Sequence, residues 1–233
     1  MKITAIGDIH GRKGWKEIVK NNPGSHFIFL GDYLDSYSNE GIFEDECIEN
    51  FHDLMEFKKN NNSNVTFLIG NHDFQYLFYP YGGTSGRSKK KLQEHISIFK
   101  DNRDYFQFAF QKNNYLFTHA GVSNNWAKEQ SKYLFDIGLN KDMSNFGETL
   151  NKAGSDVKGR SVLIISSFYR GGGELYGGPL WCDYRELDNN LSGYHQVVGH
   201  NRFDDITTFG DDNESITFCD CLFEKNKGYT LYI

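Results

Sequence analysis

The sequence predicts an α/β protein whose buried strands run mostly parallel. Short apolar runs recur along the chain, and several end at a glycine or small residue followed by a polar side chain. These runs are continuous rather than alternating, which is typical of strands covered on both faces. A segment with helical periodicity separates the second run from the third, as in a β-α-β unit.

Seven segments are predicted to form strands and four to form helices. In residues 44–59, Ile48, Phe51 and Met55 recur at near-helical spacing, so this segment is predicted to cross over between two parallel strands. The predicted strands are residues 2–6, 26–30, 65–69, 115–117, 195–198, 215–219 and 228–233. The other predicted helices are residues 89–100, 126–137 and 142–152, and the Gly-rich residues 82–86 and 171–178 are predicted loops.

Composition and charge are those of an ordinary globular protein. The 233 residues are 38% apolar and contain no repeat or linker, so we expect a single domain over residues 1–233. The net charge of −6 argues against a nucleic-acid-binding surface, which should be basic. We find no bilayer-spanning run and no signal-peptide pattern. Four scattered cysteines are too few for a disulfide framework, so a reducing, cytoplasmic compartment is expected.

Five predicted strand ends carry side chains that can bind metal ions. Ligands bind outside the carboxyl ends of strands in α/β sheets, so these ends are expected to converge on one site. The donors are carboxylate, amide and imidazole groups without thiolates, a mixture that suits Mn, Fe or Zn. The segments are Gly-Asp-Ile-His at 7–10, Gly-Asp-Tyr-Leu-Asp at 31–35, Gly-Asn-His-Asp at 70–73, His-Ala-Gly at 119–121 and Gly-His at 199–200.

The spacing of these donors favours two ions rather than one. Asp8 and His10 are two residues apart, so in an extended segment they point the same way and can hold one ion. A carboxylate such as Asp32 has two oxygens and can bridge to a second ion. Two metals about 3.5–4 Å apart can clamp the attacking and leaving oxygens of a displacement at phosphorus.

The five segments resemble the signature motifs of calcineurin-like metallophosphoesterases, and most closely those of the phosphoprotein phosphatase branch with its bacterial and phage members. They occur in family order from Asp8 to His200. The resemblance implies a four-layer α/β/β/α sandwich with two mixed sheets and the metals at the strand ends. It also implies hydrolysis of phosphomonoesters, in phosphoproteins or small phosphorylated molecules, by a hydroxide that bridges two metal ions, with Mn favoured.

The resemblance further implies a role for each matching residue. His72 would protonate the leaving oxygen, and Asp35 would orient His72. Four of the other residues, taken alone, would more simply be turn or cap residues, and only their combination favours metal binding; these four are Asp8, Asp32, Asn71 and His119. The implied metal ligands are Asp8 and His10 for the first ion, Asp32 for both ions, and Asn71, His119 and His200 for the second.

The sequence departs from the branch pattern at three positions. Ser36 follows Asp35 where the branch has an arginine that binds the phosphate, and serine cannot replace a guanidinium. Asp73 stands where the branch usually has glutamate. Arg202 stands where nuclease and purple-acid branches place a second metal-binding histidine, which favours the phosphoprotein phosphatase branch.

Some other cation should still meet the phosphate. Arg185 is the first candidate, because it follows the segment Leu-Trp-Cys-Asp at 180–183, which resembles the Leu-Trp-x-Asp segment of the branch. Arg170, beside three glycines, and Arg202 are the next candidates, and a solvated surface role is the alternative for each. The remaining histidines match no motif and are expected to be core or surface residues; they are His26, His52, His95 and His195.

Two other functions stay open. Symmetrical dinucleoside polyphosphate hydrolases have similar motifs, although their first motif usually has glutamine in place of His10. A non-catalytic binding module with a degenerate site is supported by Ser36 alone, whereas the retained metal positions, His72 and Asp35 argue against it.

Overall fold

Ten strands form two five-stranded sheets in the computed structural model, which describes residues 1–78, 87–136 and 145–233. The buried runs at residues 3–6, 27–29 and 65–68 form strands, as the sequence predicts. In chain order they are β1 (Lys2–Ile6), β2 (His26–Phe29), β3 (Val65–Leu68), β4 (Phe106–Gln107), β5 (Ala109–Lys112), β6 (Tyr115–Thr118), β7 (His195–Arg202), β8 (Thr207–Gly210), β9 (Ser215–Asp220) and β10 (Tyr229–Tyr232).

Both sheets are mixed. The first has the order β10-β1-β2-β3-β4, in which β1 to β4 are parallel and β10 is antiparallel to β1. The second has the order β5-β6-β7-β9-β8, in which β6, β7 and β9 are parallel between antiparallel edge strands. Apolar side chains from both sheets pack between them, among them Ile3, Ile28, Leu30, Phe117 and Val197.

Helices cover the outer faces. The crossover helix buries Phe51 and Leu54, and the ring of Phe51 lies against those of Tyr33 and Phe106 on the first sheet. A 3-10 helix, Tyr184–Asn189, packs Leu187 against the outer face of the second sheet. The α-helices are α1 (Trp15–Asn21), α2 (Glu44–Asn60), α3 (Asn71–Phe78), α4 (Leu92–Asp101), α5 (Asn124–Asp136), α6 (Phe146–Ser155) and α7 (Val157–Leu163). This architecture confirms the predicted α/β fold with two mixed sheets.

All seven predicted strands and the four predicted helices are present, with ends shifted by a few residues. Parts of the predictions, at residues 82–86, 137 and 142–144, lie outside the described residues. Sequence patterns missed α1, α3, α7, β4, β5 and β8, because these elements are short or, like the edge strand β8, largely exposed and polar. Within the described ranges, no helix combines the length and apolarity required to cross a bilayer.

Candidate active site

The carboxyl ends of five parallel strands meet at one edge of the two sheets. The pairing of Ile6 with Phe29 and of Thr118 with Val198 keeps neighbouring strand ends level. The two sheets are joined here, because the backbone N–H of His200 donates to both carboxylate oxygens of Asp8, at 2.9 and 3.1 Å. All six predicted metal ligands therefore lie in one cluster, which also contains the predicted pair His72 and Asp35.

Asp32 lies at the centre of this cluster. Its Oδ2 is 3.6 Å from His10 Nε2 on one side and 3.6 Å from His119 Nε2 on the other. Beyond His119, Asn71 Oδ1 is 2.7 Å from His119 Nε2 and 3.1 Å from His200 Nδ1. Two groups of potential ligands thus share the Asp32 carboxylate, and one contains His10 and His72, the other His119 and His200.

Four site residues adopt left-handed backbone conformations. The φ angles are 43° at His10, 54° at Asp32, 61° at Asp35 and 61° at His200, and Asn113 is the fifth such non-glycine residue in the part of the chain that the structure describes. Such conformations cost about 1–3 kcal/mol each and persist only where surrounding contacts enforce them. Here His10 N–H donates to Asp32 O at 2.7 Å, which holds the first two strand ends together.

Gly70, which follows β3, and Gly199, which lies within β7, leave room for the carboxylates of Asp32 and Asp8. A Cβ atom on Gly70 would lie 2.0 Å from Asp32 Oδ1, and one on Gly199 would lie 2.2 Å from Asp8 Oδ1. Both separations are far below van der Waals contact. The glycines of the Gly-Asn and Gly-His pairs are therefore required by the carboxylates that lie opposite them.

Backbone carbonyls fix which nitrogen of each histidine carries the proton. His10 Nδ1 lies 3.0 Å from the carbonyl oxygens of Leu34 and Asp35, and His119 Nδ1 lies 2.8 Å from that of Leu30. Because a carbonyl only accepts, each Nδ1 must carry hydrogen. Burial lowers the pKa of His119 to about 3 and the pKa of His10 well below its usual value, so both rings are neutral. The Nε2 atoms of both rings therefore present lone pairs to the centre of the cluster.

This arrangement fits metal cations. The lone pair of His119 Nε2 and the carbonyl oxygen of Asn71 are both acceptors, yet they face each other at 2.7 Å. Burial raises the pKa of Asp8 to about 7 and that of Asp32 well above its usual value, and the mutual repulsion of these two carboxylates adds to the rise for Asp32. Converging acceptors and uncompensated buried carboxylates are stabilised by bound cations.

His72 lies between Asp35 and Asp32. Its Nδ1 lies 3.0 Å from Asp35 Oδ2, and its Nε2 lies 4.0 Å from Asp32 Oδ2. Nδ1 therefore binds Asp35, and Nε2 faces the cluster. Asp73 has a structural role beside it, because its carboxylate accepts from the backbone N–H groups of Asp32 and Gly70, at 2.7 and 2.8 Å.

Two of the three candidate arginines share the Asp183 carboxylate. Arg185 pairs with Asp183 at 2.7 Å and lies over the exposed Tyr169 ring at 4.2 Å. Arg170 also pairs with Asp183, at 2.8 Å, and donates to Asn201, the neighbour of His200.

Arg202 lies near His10. Its guanidinium is 4.1 Å from the Tyr37 ring, which in turn packs edge-on against His10 at 4.9 Å. Arg202 thus lies beside the loop in which the branch has its phosphate-binding arginine, and Glu40 of that loop accepts from Arg202 at 3.2 Å.

Several charged or polar neighbours of the site were not predicted from the sequence, among them Arg12, Asp220 and His95. Arg12 is buried, donates to the Asp8 carbonyl at 3.0 Å and pairs with Glu40 at 2.6 Å. Asp220 ends β9, and its buried Oδ1 has no hydrogen-bond partner among the described residues. Its position at the end of a predicted strand could have revealed it. His95, expected to be an ordinary core or surface residue, is buried 3.9 Å from Asp35 Oδ1.

Comparisons with known proteins agree with this fold. A family model described as calcineurin-like phosphoesterase matches residues 1–213. Among solved structures, a cold-active protein-tyrosine phosphatase from a Shewanella species is similar over 97% of this chain and 72% of its own, with a TM-score of 0.52 and 18% identity. A protein serine/threonine phosphatase from Saccharomyces cerevisiae is similar over 94% of this chain and 67% of its own, with a TM-score of 0.50 and 18% identity.

Proposed function

Because the chain belongs to the calcineurin-like phosphoesterase family, we propose that it is a two-metal phosphatase that hydrolyses phosphomonoesters. The observation that carries this proposal is the central Asp32 carboxylate, which lies 3.6 Å from a histidine on either side. One carboxylate between two ligand groups is what a pair of ions requires. The metals, for which we propose Mn, would supply an activated water and stabilise the charge of the reacting phosphoryl group.

The protein would hold and protonate the substrate. Asp8, His10 and Asp32 would hold the first metal, and Asp32, Asn71, His119 and His200 the second. His72 would donate a proton from Nε2 to the leaving oxygen, since its Nδ1 is bound to Asp35. We assign phosphate binding to Arg202, which stacks on Tyr37 beside His10, and to Arg170, which donates to the neighbour of His200. Arg185 is exposed and lies against Tyr169.

Phosphoproteins are the proposed substrates, with small phosphorylated molecules as the second class. The names of two similar structures, a protein-tyrosine phosphatase and a serine/threonine phosphatase, support the first. His10 and the intact pair of His72 and Asp35 favour this function over dinucleoside polyphosphate hydrolysis and over a non-catalytic module. The four free, buried cysteines support the proposal of a cytoplasmic location.

Metal content and activity measured together test the proposal. Protein loaded with Mn should contain about two ions per chain and hydrolyse p-nitrophenyl phosphate, and a chelator should abolish the activity. His119→Asn should lose metal, whereas the control His195→Asn, which alters a histidine bound to Ser215, should not. A metal content that stays near zero, or hydrolysis that survives chelation, would refute the two-metal function. A panel of phosphopeptides, nucleotides and dinucleoside polyphosphates would then identify the substrate class.

A further inference from the structure

Tyr76 and His72 are four residues apart on α3, so both face the same side of the helix. Tyr76 is fully buried, and its hydroxyl donates to Asp35 Oδ1 at 2.5 Å. The other oxygen of the same carboxylate, Oδ2, lies 3.0 Å from His72 Nδ1. Gln75 Nε2 of the same helix also donates to Oδ2, at 3.3 Å. Asp35 is therefore held by three side chains of α3, with Tyr76 on Oδ1 and with His72 and Gln75 on Oδ2.

Tyr76 is itself fixed by its surroundings. Phe99 of α4 stacks on its ring at 5.6 Å with an interplanar angle of 11°, and His95 packs edge-on at 5.2 Å. The Arg87 guanidinium lies 5.6 Å from the ring centre. Burial, together with the charge of Asp35, raises the pKa of Tyr76 well above its usual value, so the hydroxyl remains a proton donor.

We propose that Tyr76 is a positioning residue for the reaction, acting on His72 through Asp35. A carboxylate that is hydrogen-bonded through only one of its oxygens can still rotate about its terminal torsion, which is broad. With Tyr76 on Oδ1 and His72 on Oδ2, Asp35 cannot rotate without breaking a hydrogen bond. His72 thereby keeps Nε2 directed at the cluster, and small misplacements of such groups are costly. The inference rests on the proposed function, in which His72 is the general acid.

Tyr76→Phe removes one oxygen and keeps the ring. For phosphoserine, whose alkoxide leaving group needs a proton, kcat should fall roughly ten-fold, because one hydrogen bond to a charged group is lost. For p-nitrophenyl phosphate the loss should be under about two-fold, since its leaving group is stable without a proton. The matched control is Tyr133→Phe, which deletes another tyrosine-aspartate hydrogen bond, the one to Asp156 at 3.2 Å. This control should leave both rates unchanged.

A double variant separates positioning from a general loss of structure. If Tyr76 acts only through His72, adding Tyr76→Phe to His72→Asn should cause no further loss with either substrate. An equal loss with both substrates, or a further loss in the His72→Asn protein, would overturn the proposal. If Tyr76→Phe does not fold, Phe99→Leu removes the stacked ring instead, and the same selective loss on phosphoserine is expected; an unselective loss would overturn it.

An NMR measurement that does not depend on catalysis separates the proposed role of Tyr76 from the proposed phosphatase function. The proton on His72 Nδ1 should give a downfield NMR resonance in chelated protein, identified by its loss in His72→Asn. Tyr76→Phe should move this resonance, and Tyr133→Phe should not. An unmoved resonance would refute the role of Tyr76, whereas wild-type protein without Mn-dependent hydrolysis would refute the proposed function.

Discussion

Asp8→Asn tests whether the site is built for cations, because the Asp8 carboxylate is unfavourable in the protein without them. Burial raises the pKa of Asp8 from 3.8 to about 7. The unfolded chain therefore loses this proton near pH 4 while the folded protein keeps it, so folding stability falls as the pH rises toward 7. At about 1.4 kcal/mol per pH unit, the loss reaches about 4 kcal/mol.

Asparagine keeps the size of the side chain and one oxygen that can accept from the His200 backbone. In protein freed of metal by a chelator, Asp8→Asn should therefore have a higher free energy of unfolding than wild type. The difference should be roughly 2–3 kcal/mol larger at pH 8 than at pH 5. With Mn present, wild type should instead be more stable than Asp8→Asn. Metal binding to the folded state stabilises wild type by mass action, whereas the variant lacks one metal ligand.

Urea unfolding followed by tryptophan fluorescence, at both pH values and with chelator or Mn, measures these differences. The control Asp205→Asn removes an exposed carboxylate that pairs with Lys225 and Lys227, which lower its pKa, so it should not stabilise the protein at pH 8. If Asp8→Asn destabilises the metal-free protein equally at pH 5 and pH 8, the charge of the buried Asp8 carboxylate does not destabilise the fold. The inference that the site requires bound cations would then be wrong.

Three further outcomes are expected. Asp32→Asn should reduce metal content and kcat more than Asn71→Asp, because Asp32 would bind both ions while Asn71→Asp keeps an oxygen ligand. Equal activity losses with unchanged metal content would argue against a carboxylate shared by two ions. His72→Asn should retain both metals and lose roughly 10²–10⁴-fold on phosphoserine but less on p-nitrophenyl phosphate; an emptied metal position would make His72 a ligand instead. Arg202→Gln should raise KM for phosphoesters, while Arg185→Gln should change it little, and steady-state kinetics that reverse this order would refute our assignment of the arginines.

The fold and the composition of the site were readable in the sequence for a local reason. A buried parallel strand needs a continuous apolar run, and the turn after it needs glycine or a short polar residue. Both signals lie within about ten residues, so β1, β2 and β3 and their polar ends were found together. The general rule that ligands bind at carboxyl strand ends then placed Asp8, Asp32 and Asn71 in one site.

Contacts between distant parts of the chain were decided by the tertiary structure. Nothing local distinguishes Arg202, which stacks on Tyr37, from Arg185, which stacks on Tyr169. In the sequence, nothing distinguishes Tyr76 from the other aromatic residues. In the folded protein, the turn after β2 places Asp35 against its hydroxyl. Such pairings depend on side-chain packing and burial between segments tens of residues apart. No periodicity or spacing encodes them, because their energy arises only once the sheets and helices have assembled.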